Sequence, residues 1–278
     1  MLNSKRPNYE IAKASHDRWY AARERYNSET LTDRELCDKY NAAPFGDRPV
    51  YQLLRAAEIR CHEAEQRFDA EIKQDREILD AWKLIRKAGN ALIDARGLRY
   101  ADATLDNYVG KLPEQTKIVQ QLRDYASNSN ELIPQGQNVI LLGPKGTGKD
   151  HLLMALAKEV LRFSGFTTKW ENGCDMHQRF RESATSNRPT ASPVFAPSPD
   201  ILWISDPLPP SGVLTEFQQS AMFSVIDSRY SNLQPTWISI NVENGQEAEQ
   251  RMGAQTVDRL RHDALVLACN WPSFRQAQ

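Results

Sequence analysis

The sequence predicts an α/β protein: a parallel sheet sandwiched between helical layers, preceded by an all-α region that contains a long helix. Three observations lead there. Short runs of β-branched and large apolar residues, at 138–142 (NVILL), 201–205 (ILWIS) and 236–240 (TWISI), alternate with segments of helical periodicity, and that alternation gives a parallel sheet. A glycine-rich turn, 143–150 (GPKGTGKD), joins the first of these strands directly to an amphipathic helix. Residues 50–96 contain no proline and carry a narrow apolar stripe among dense mixed charges, the pattern of a long helix or helical hairpin. The chain therefore divides into a helical region, residues 1–96, and an α/β domain, residues 97–278.

Taken in order, residues 9–27 read as a charged helix with Ile11, Trp19, Ala22 and Tyr26 on one face, and Thr32 to Glu35 (TDRE) reads as a capping box opening a second short helix. Pro44, Gly46 and Pro49 then break the helical pattern. The stripe consists of Leu54, Ala57, Cys61, Ala64, Phe68, Ile72, Leu79, Trp82 and Ile85; Asp75 interrupts it, and Gly89-Asn90 is a point at which an otherwise unbroken helix could end or bend. A stripe too narrow for a central core and too apolar to leave in water either packs helix on helix or docks a partner. Residues 113–126 predict a helix, 167–170 a second strand, 175–182 a basic helix, and the proline- and serine-rich stretch 186–199 a loop. Thr215 and Gln218 form a capping box for a helix reaching Tyr230, and residues 256–262 a last short helix.

Composition bounds the function. With 35 Lys and Arg against 36 Asp and Glu, no overall basic field draws the molecule onto nucleic acid, so any DNA contact is local. The four cysteines, Cys37, Cys61, Cys174 and Cys269, form no CxxC pair and suggest neither a zinc site nor a disulfide framework. No apolar run approaches the roughly 20 residues of a membrane span, and the N-terminus lacks a signal-peptide core, which leads us to expect a soluble, cytoplasmic protein without membrane contact.

The chemistry concentrates on the glycine-rich turn. In a strand-loop-helix context, Gly143, Pro144, Lys145, Gly146, Thr147, Gly148 and Lys149, followed by Asp150 and His151, predict a phosphate-cradling P-loop. The glycines let backbone N–H groups turn inward, and Lys149 reaches the terminal phosphates. The pattern departs at its last position, where Asp150 replaces the Ser or Thr hydroxyl that ligates Mg²⁺. At about 5 Å and an effective dielectric of about 20, a carboxylate repels each phosphate charge by roughly 3 kcal/mol unless a metal lies between them. Asp150 is therefore read as a metal ligand, together with Asp206 at the end of the 201–205 strand. The position after Asp206, where a second acidic residue would orient water, is Pro207. Asn241, ending the 236–240 strand, is placed to orient water near the terminal phosphate or to serve as a turn residue.

In this order the P-loop, the strand ending in Asp206, the run Ile226 to Tyr230 (IDSRY) before a Pro-Thr strand, Asn241, and VDRLR followed by WPSFR resemble the branch of AAA+ ATPases that holds helicase loaders of the DnaC kind and transposase helpers of the IstB kind. The resemblance implies ATP and Mg²⁺ as cofactors, Lys149, Asp206 and Asn241 in the catalytic apparatus, and side-by-side assembly. In that assembly Arg259 is a finger offered to a neighbouring subunit and Arg275 a sensor touching nucleotide in its own chain. It further implies a replicative ring helicase grasped by the N-terminal helices and single-stranded DNA near Lys169, Arg179, Phe180 and Arg181. Because Asp150 and Pro207 depart from the family where hydrolysis would occur, we expect nucleotide binding with weak or atypical hydrolysis, tight metal binding and modest nucleotide affinity. Glu171 or Glu216 is the substitute base if turnover persists. A transposase helper acting on duplex DNA and a catalytically silent scaffold are the competing expectations.

Overall fold

The computed structural model describes residues 6–41, 48–108, 110, 112–185, 199–209 and 212–275. The loop expected at 186–199 lies outside them apart from Pro199, as do Pro44 and Gly46. The chain forms two compact units, Met1–Leu84 and Ile85–Gln278.

The first unit is a pair of helices. Helix α1 covers Tyr9–Asn41, and the residues of α2 (Arg48–Arg96) up to Leu84 complete the unit. Contacts rise along one helix as they fall along the other: Arg18 meets Asp75, Arg25 meets Glu71, Tyr26 stacks on Phe68 with centroids 5.1 Å apart, and Asp33 meets Arg60. The helices are therefore antiparallel. Ala12, Ala22, Ala57 and Ala64 are buried along the seam, and such small side chains let the two backbones approach closely. Asp75, the break in the apolar stripe, is buried in it, both carboxylate oxygens accepting from the Arg18 Nε at 3.1 Å.

Two local expectations are corrected. No helix begins at Thr32; α1 runs through it, because residues 27–32 hold no glycine or proline, the Thr30 hydroxyl bonds back to the Tyr26 carbonyl at 2.7 Å, and Asp33 is taken by Arg60. Nor does Gly89 end α2, which continues to Arg96. The missing side chain instead admits Leu161, whose Cδ2 would lie 2.6 Å from a Cβ at that position.

In the second unit, α3 (Pro113–Ser127) and the short α4 (Ser129–Leu132) lead into strand β1 (Val139–Leu142) and the P-loop helix α5 (Lys149–Ser164). The chain continues through β2 (Thr168–Asn172), α6 (Gly173–Thr185), β3 (Ile201–Ser205) and α7 (Glu216–Ser231), whose capping box of Thr215 and Gln218 forms as expected. It ends with β4 (Thr236–Ile240), α8 (Gly245–Met252), α9 (Ala254–Arg261) and β5 (Leu265–Ala268). All strand pairs are parallel, in the order β2-β3-β4-β1-β5.

Alternate strand residues sort to opposite faces of this sheet, as a period of two requires. Val139, Leu141, Ile201, Trp203 and Trp237 face a core completed by α3 and α5, while Ile140, Leu142, Leu202, Ile204 and Ile238 face one completed by α6, α7, α8 and α9. The domain is thus an αβα sandwich with the β1–α5 turn at the C-terminal end of the central strands, where open α/β sheets bind ligands. Among the described residues no helix is long and apolar enough to cross a membrane.

Candidate functional site

The loop between β1 and α5 is shaped by backbone that only glycine tolerates easily. Gly143, Gly146 and Gly148 have φ of 141°, 83° and 86°. A Cβ on Gly143 would lie 2.5 Å from the Cys269 carbonyl, and one on Gly146 would lie 1.9 Å from the Ser273 hydroxyl. The loop is clamped from outside. The Thr147 carbonyl accepts from the Tyr108 hydroxyl at 2.9 Å and from the Trp271 indole at 3.0 Å, and the Gly146 carbonyl accepts from the Phe274 N–H at 2.9 Å. Because a trans peptide points its N–H opposite to its C=O, these bonds turn the N–H groups of Thr147 and Gly148 away from the clamp, the orientation an anion requires.

The loop opens on a cleft of about 630 Å³, within the size range of cofactor sites. Lys145, Gly146, Gly148, Lys149, Asp150, His151, Asp206, Asn241 and Arg275 all line it. Lys149 is buried, its ammonium donating to the carbonyls of Gly143 at 2.7 Å and Pro144 at 2.8 Å and to Asn241 Oδ1 at 2.9 Å. The Asn241 amide nitrogen in turn donates to Asp206. Lysine, asparagine and aspartate thus form a hydrogen-bonded chain from the P-loop to the end of β3. Asp206 sits at φ 49°, a left-handed conformation rare for a residue other than glycine and typical of functional strain. Burial lowers the Lys149 pKa and raises that of Asp206, with the neighbouring Asp150 carboxylate adding to the latter. Burial in the cleft therefore disfavours both charges, and an anionic ligand would restore that of Lys149.

Asp150 has partners that no local signal announced. One carboxylate oxygen accepts from the Ser239 hydroxyl at 2.7 Å, and the other from the Arg96 guanidinium. Arg96 ends α2 and lies over the rings of Tyr100, at 3.9 Å, and Trp170, at 4.9 Å. The donor set can be tested against the expected Mg²⁺ ion. Both oxygens of Asp150 are taken, one Asp206 oxygen accepts from Asn241, and among the described residues no three His, Cys, Asp or Glu side chains gather to hold a metal. A cation shared by Asp150 and Asp206 does not fit this arrangement.

Other expected residues lie elsewhere. Arg259 does not line the cleft; it bonds Asp227 at 3.1 Å and Asp258 at 3.3 Å and lies over the Tyr230 ring. Glu171, a candidate base, is buried outside the cleft between Lys169 and Arg179, and Glu216 is exposed in the first turn of α7. Pro207 is buried, its carbonyl bonded by the His177 ring at 3.0 Å, so the carboxylates that line the cleft among the described residues are Asp150 and Asp206. Phe180 is buried in the second core beside His177 and offers no stacking face to a base.

Residues 75–278 match the family model described as IstB-like ATP binding protein. Among solved structures the fold is similar to the crystal structure of the DnaC helicase loader, at 22% sequence identity and a TM-score of 0.56 over 62% of this chain and 99% of that one. It is also similar to the crystal structure of DnaI, at 18% identity and a TM-score of 0.50 over 64% of this chain and 94% of that one. No curated protein matches the chain.

Proposed function

Because the chain belongs to the IstB/DnaC-like family of AAA+ ATP-binding proteins, we propose that it binds ATP in the β1–α5 cleft and helps load a replicative ring helicase onto single-stranded DNA, with weak or atypical hydrolysis. The observation that carries the nucleotide reading is the hydrogen-bonded chain from Lys149 through Asn241 to Asp206 at the mouth of a glycine-shaped loop. A triphosphate replaces the carbonyl partners of Lys149, and Arg275, exposed on the rim of the same cleft, reaches the nucleotide from its own chain. Slow turnover follows from Pro207, which stands where a second carboxylate would adjoin Asp206 in the chain. Arg259, outside its own cleft, acts on a neighbouring subunit in a homo-oligomer.

The helicase-grasping role falls to the helical pair, which exposes Tyr20, Leu31 and Ile59 beside its buried seam. Two measurements on the full chain test the proposal. Lys149→Ala is expected to weaken ATP binding at least about tenfold in calorimetry while the thermal melt stays cooperative. The chain is also expected to co-elute with a bacterial ring helicase in gel filtration, and Leu31→Glu with Ile59→Glu to abolish co-elution. If the native chain does not bind the helicase, the loader role is wrong. The family match favours a second reading, a transposase helper on duplex DNA. That reading requires tighter binding to duplex than to single-stranded DNA and no helicase capture.

A further inference from the structure

In the standard P-loop the residue after the lysine presents a hydroxyl to the metal beside the phosphates. Here that place holds the Asp150 carboxylate, whose two oxygens are occupied by the Ser239 hydroxyl and the Arg96 guanidinium. We infer that this cleft takes its nucleoside triphosphate without a divalent cation, Arg96 neutralising Asp150 from behind the P-loop helix in place of a metal. The inference rests on the nucleotide reading above and adds its cation requirement.

Arg96 cannot easily step aside. Its side chain is 15% exposed, it lies over the faces of Tyr100, Trp170 and, at 5.8 Å, Trp203, and its Nε is buried without an acceptor. Releasing Asp150 would strand a desolvated cation whose hydrogen-bonding capacity is already incompletely met, so the ion pair holds when a ligand arrives. Paired in this way, each Asp150 oxygen already accepts a hydrogen bond, and the carboxylate keeps little net charge either to attract a metal or to repel phosphate. The phosphate charge is met instead by side chains on the cleft wall: Lys149 within the loop, with Lys145, Arg99 and Arg275 at its rim. Those cations and the N-terminal end of α5 do without a metal what Mg²⁺ does in a P-loop that carries threonine.

The test is a calorimetric titration of ATP into the full chain in buffer with Mg²⁺ and in buffer with EDTA. The two dissociation constants are expected to agree within about threefold. A larger loss of affinity in EDTA overturns the inference and leaves the nucleotide reading intact, whereas no binding in either buffer overturns both. A double variant, Arg96→Met with Asp150→Thr, keeps an apolar side chain among the aromatic rings and restores the hydroxyl. It is expected to bind ATP about tenfold more tightly with Mg²⁺ than with EDTA, and indifference to Mg²⁺ in that variant overturns the role given to the pair. The native titrations decide the question even where the double variant fails to fold.

Discussion

At the scale of single residues, the cleft holds ionisable groups against their solution preferences. Asp206 is the clearest case, its pKa raised by burial and by the nearby Asp150. A carboxyl with a raised folded pKa is unopposed below its unfolded pKa and costs stability as pH rises through the folded one. Asp206→Asn removes that cost, and asparagine tolerates the φ of 49° at this position as well as aspartate does. The variant is therefore expected to melt higher than the native chain at neutral pH without nucleotide. The difference should shrink as pH falls into the ordinary carboxylate range; melts by circular dichroism across a pH series would show it, and a native chain more stable at neutral pH would refute it. The P-loop was legible at this scale because its chemistry lies within eight consecutive letters. Arg96 was not, because its bond to Asp150 spans 54 positions and neither residue has a local pattern that names the other.

At the scale of elements, burial and propensity compete at two positions of α2. Asp75 interrupts an apolar seam, and the bond from Arg18 is the main cause of its lowered pKa. A depressed carboxylate contributes stability above its unfolded pKa and loses it as pH falls through the folded one, so the helical pair should weaken in acid. Arg18 is 58% exposed and can return to water when its partner is removed. Asp75→Leu, which buries an apolar side chain worth about 2 kcal/mol, is then expected to raise the melting temperature at neutral pH and to flatten its acid dependence. At Gly89 the alanine variant gains about 1 kcal/mol of helix propensity, while the obstructing atom is the end of the flexible Leu161 side chain. Stabilisation of up to about 1 kcal/mol is expected in urea unfolding; destabilisation would show that Leu161 cannot move. Strands β1, β3 and β4 were legible because each is a largely apolar run buried on both faces, whereas β2, also expected, is a mixed and partly exposed edge strand. Strand β5 and helix α8 were not legible: β5 is a four-residue edge strand exposed at alternate positions, and α8 is short and largely polar.

At the scale of the whole molecule, the order of motifs along the chain carried more information than any one of them. Sheet topology brings the ends of β1, β3 and β4 side by side, which is why Lys149, Asp206 and Asn241 meet although 92 positions separate the first from the last. The same topology leaves Arg259 on α9, outside the cleft of its own chain, engaged by Asp227. If that guanidinium serves a neighbour, phosphate release per chain should rise with chain concentration. Arg259→Ala should then remove the rise while ATP binding in calorimetry is unchanged; a concentration-independent rate would argue for isolated monomers.

The clamp on the P-loop also makes the loop visible to light. Because the Trp271 indole is bonded directly to the Thr147 carbonyl, any rearrangement of that peptide alters the polarity felt by an excited fluorophore already built into the wall. Titrating ATP into unlabelled protein is therefore expected to change its tryptophan emission, and replacing Trp271 with phenylalanine to diminish that change while five other indoles remain.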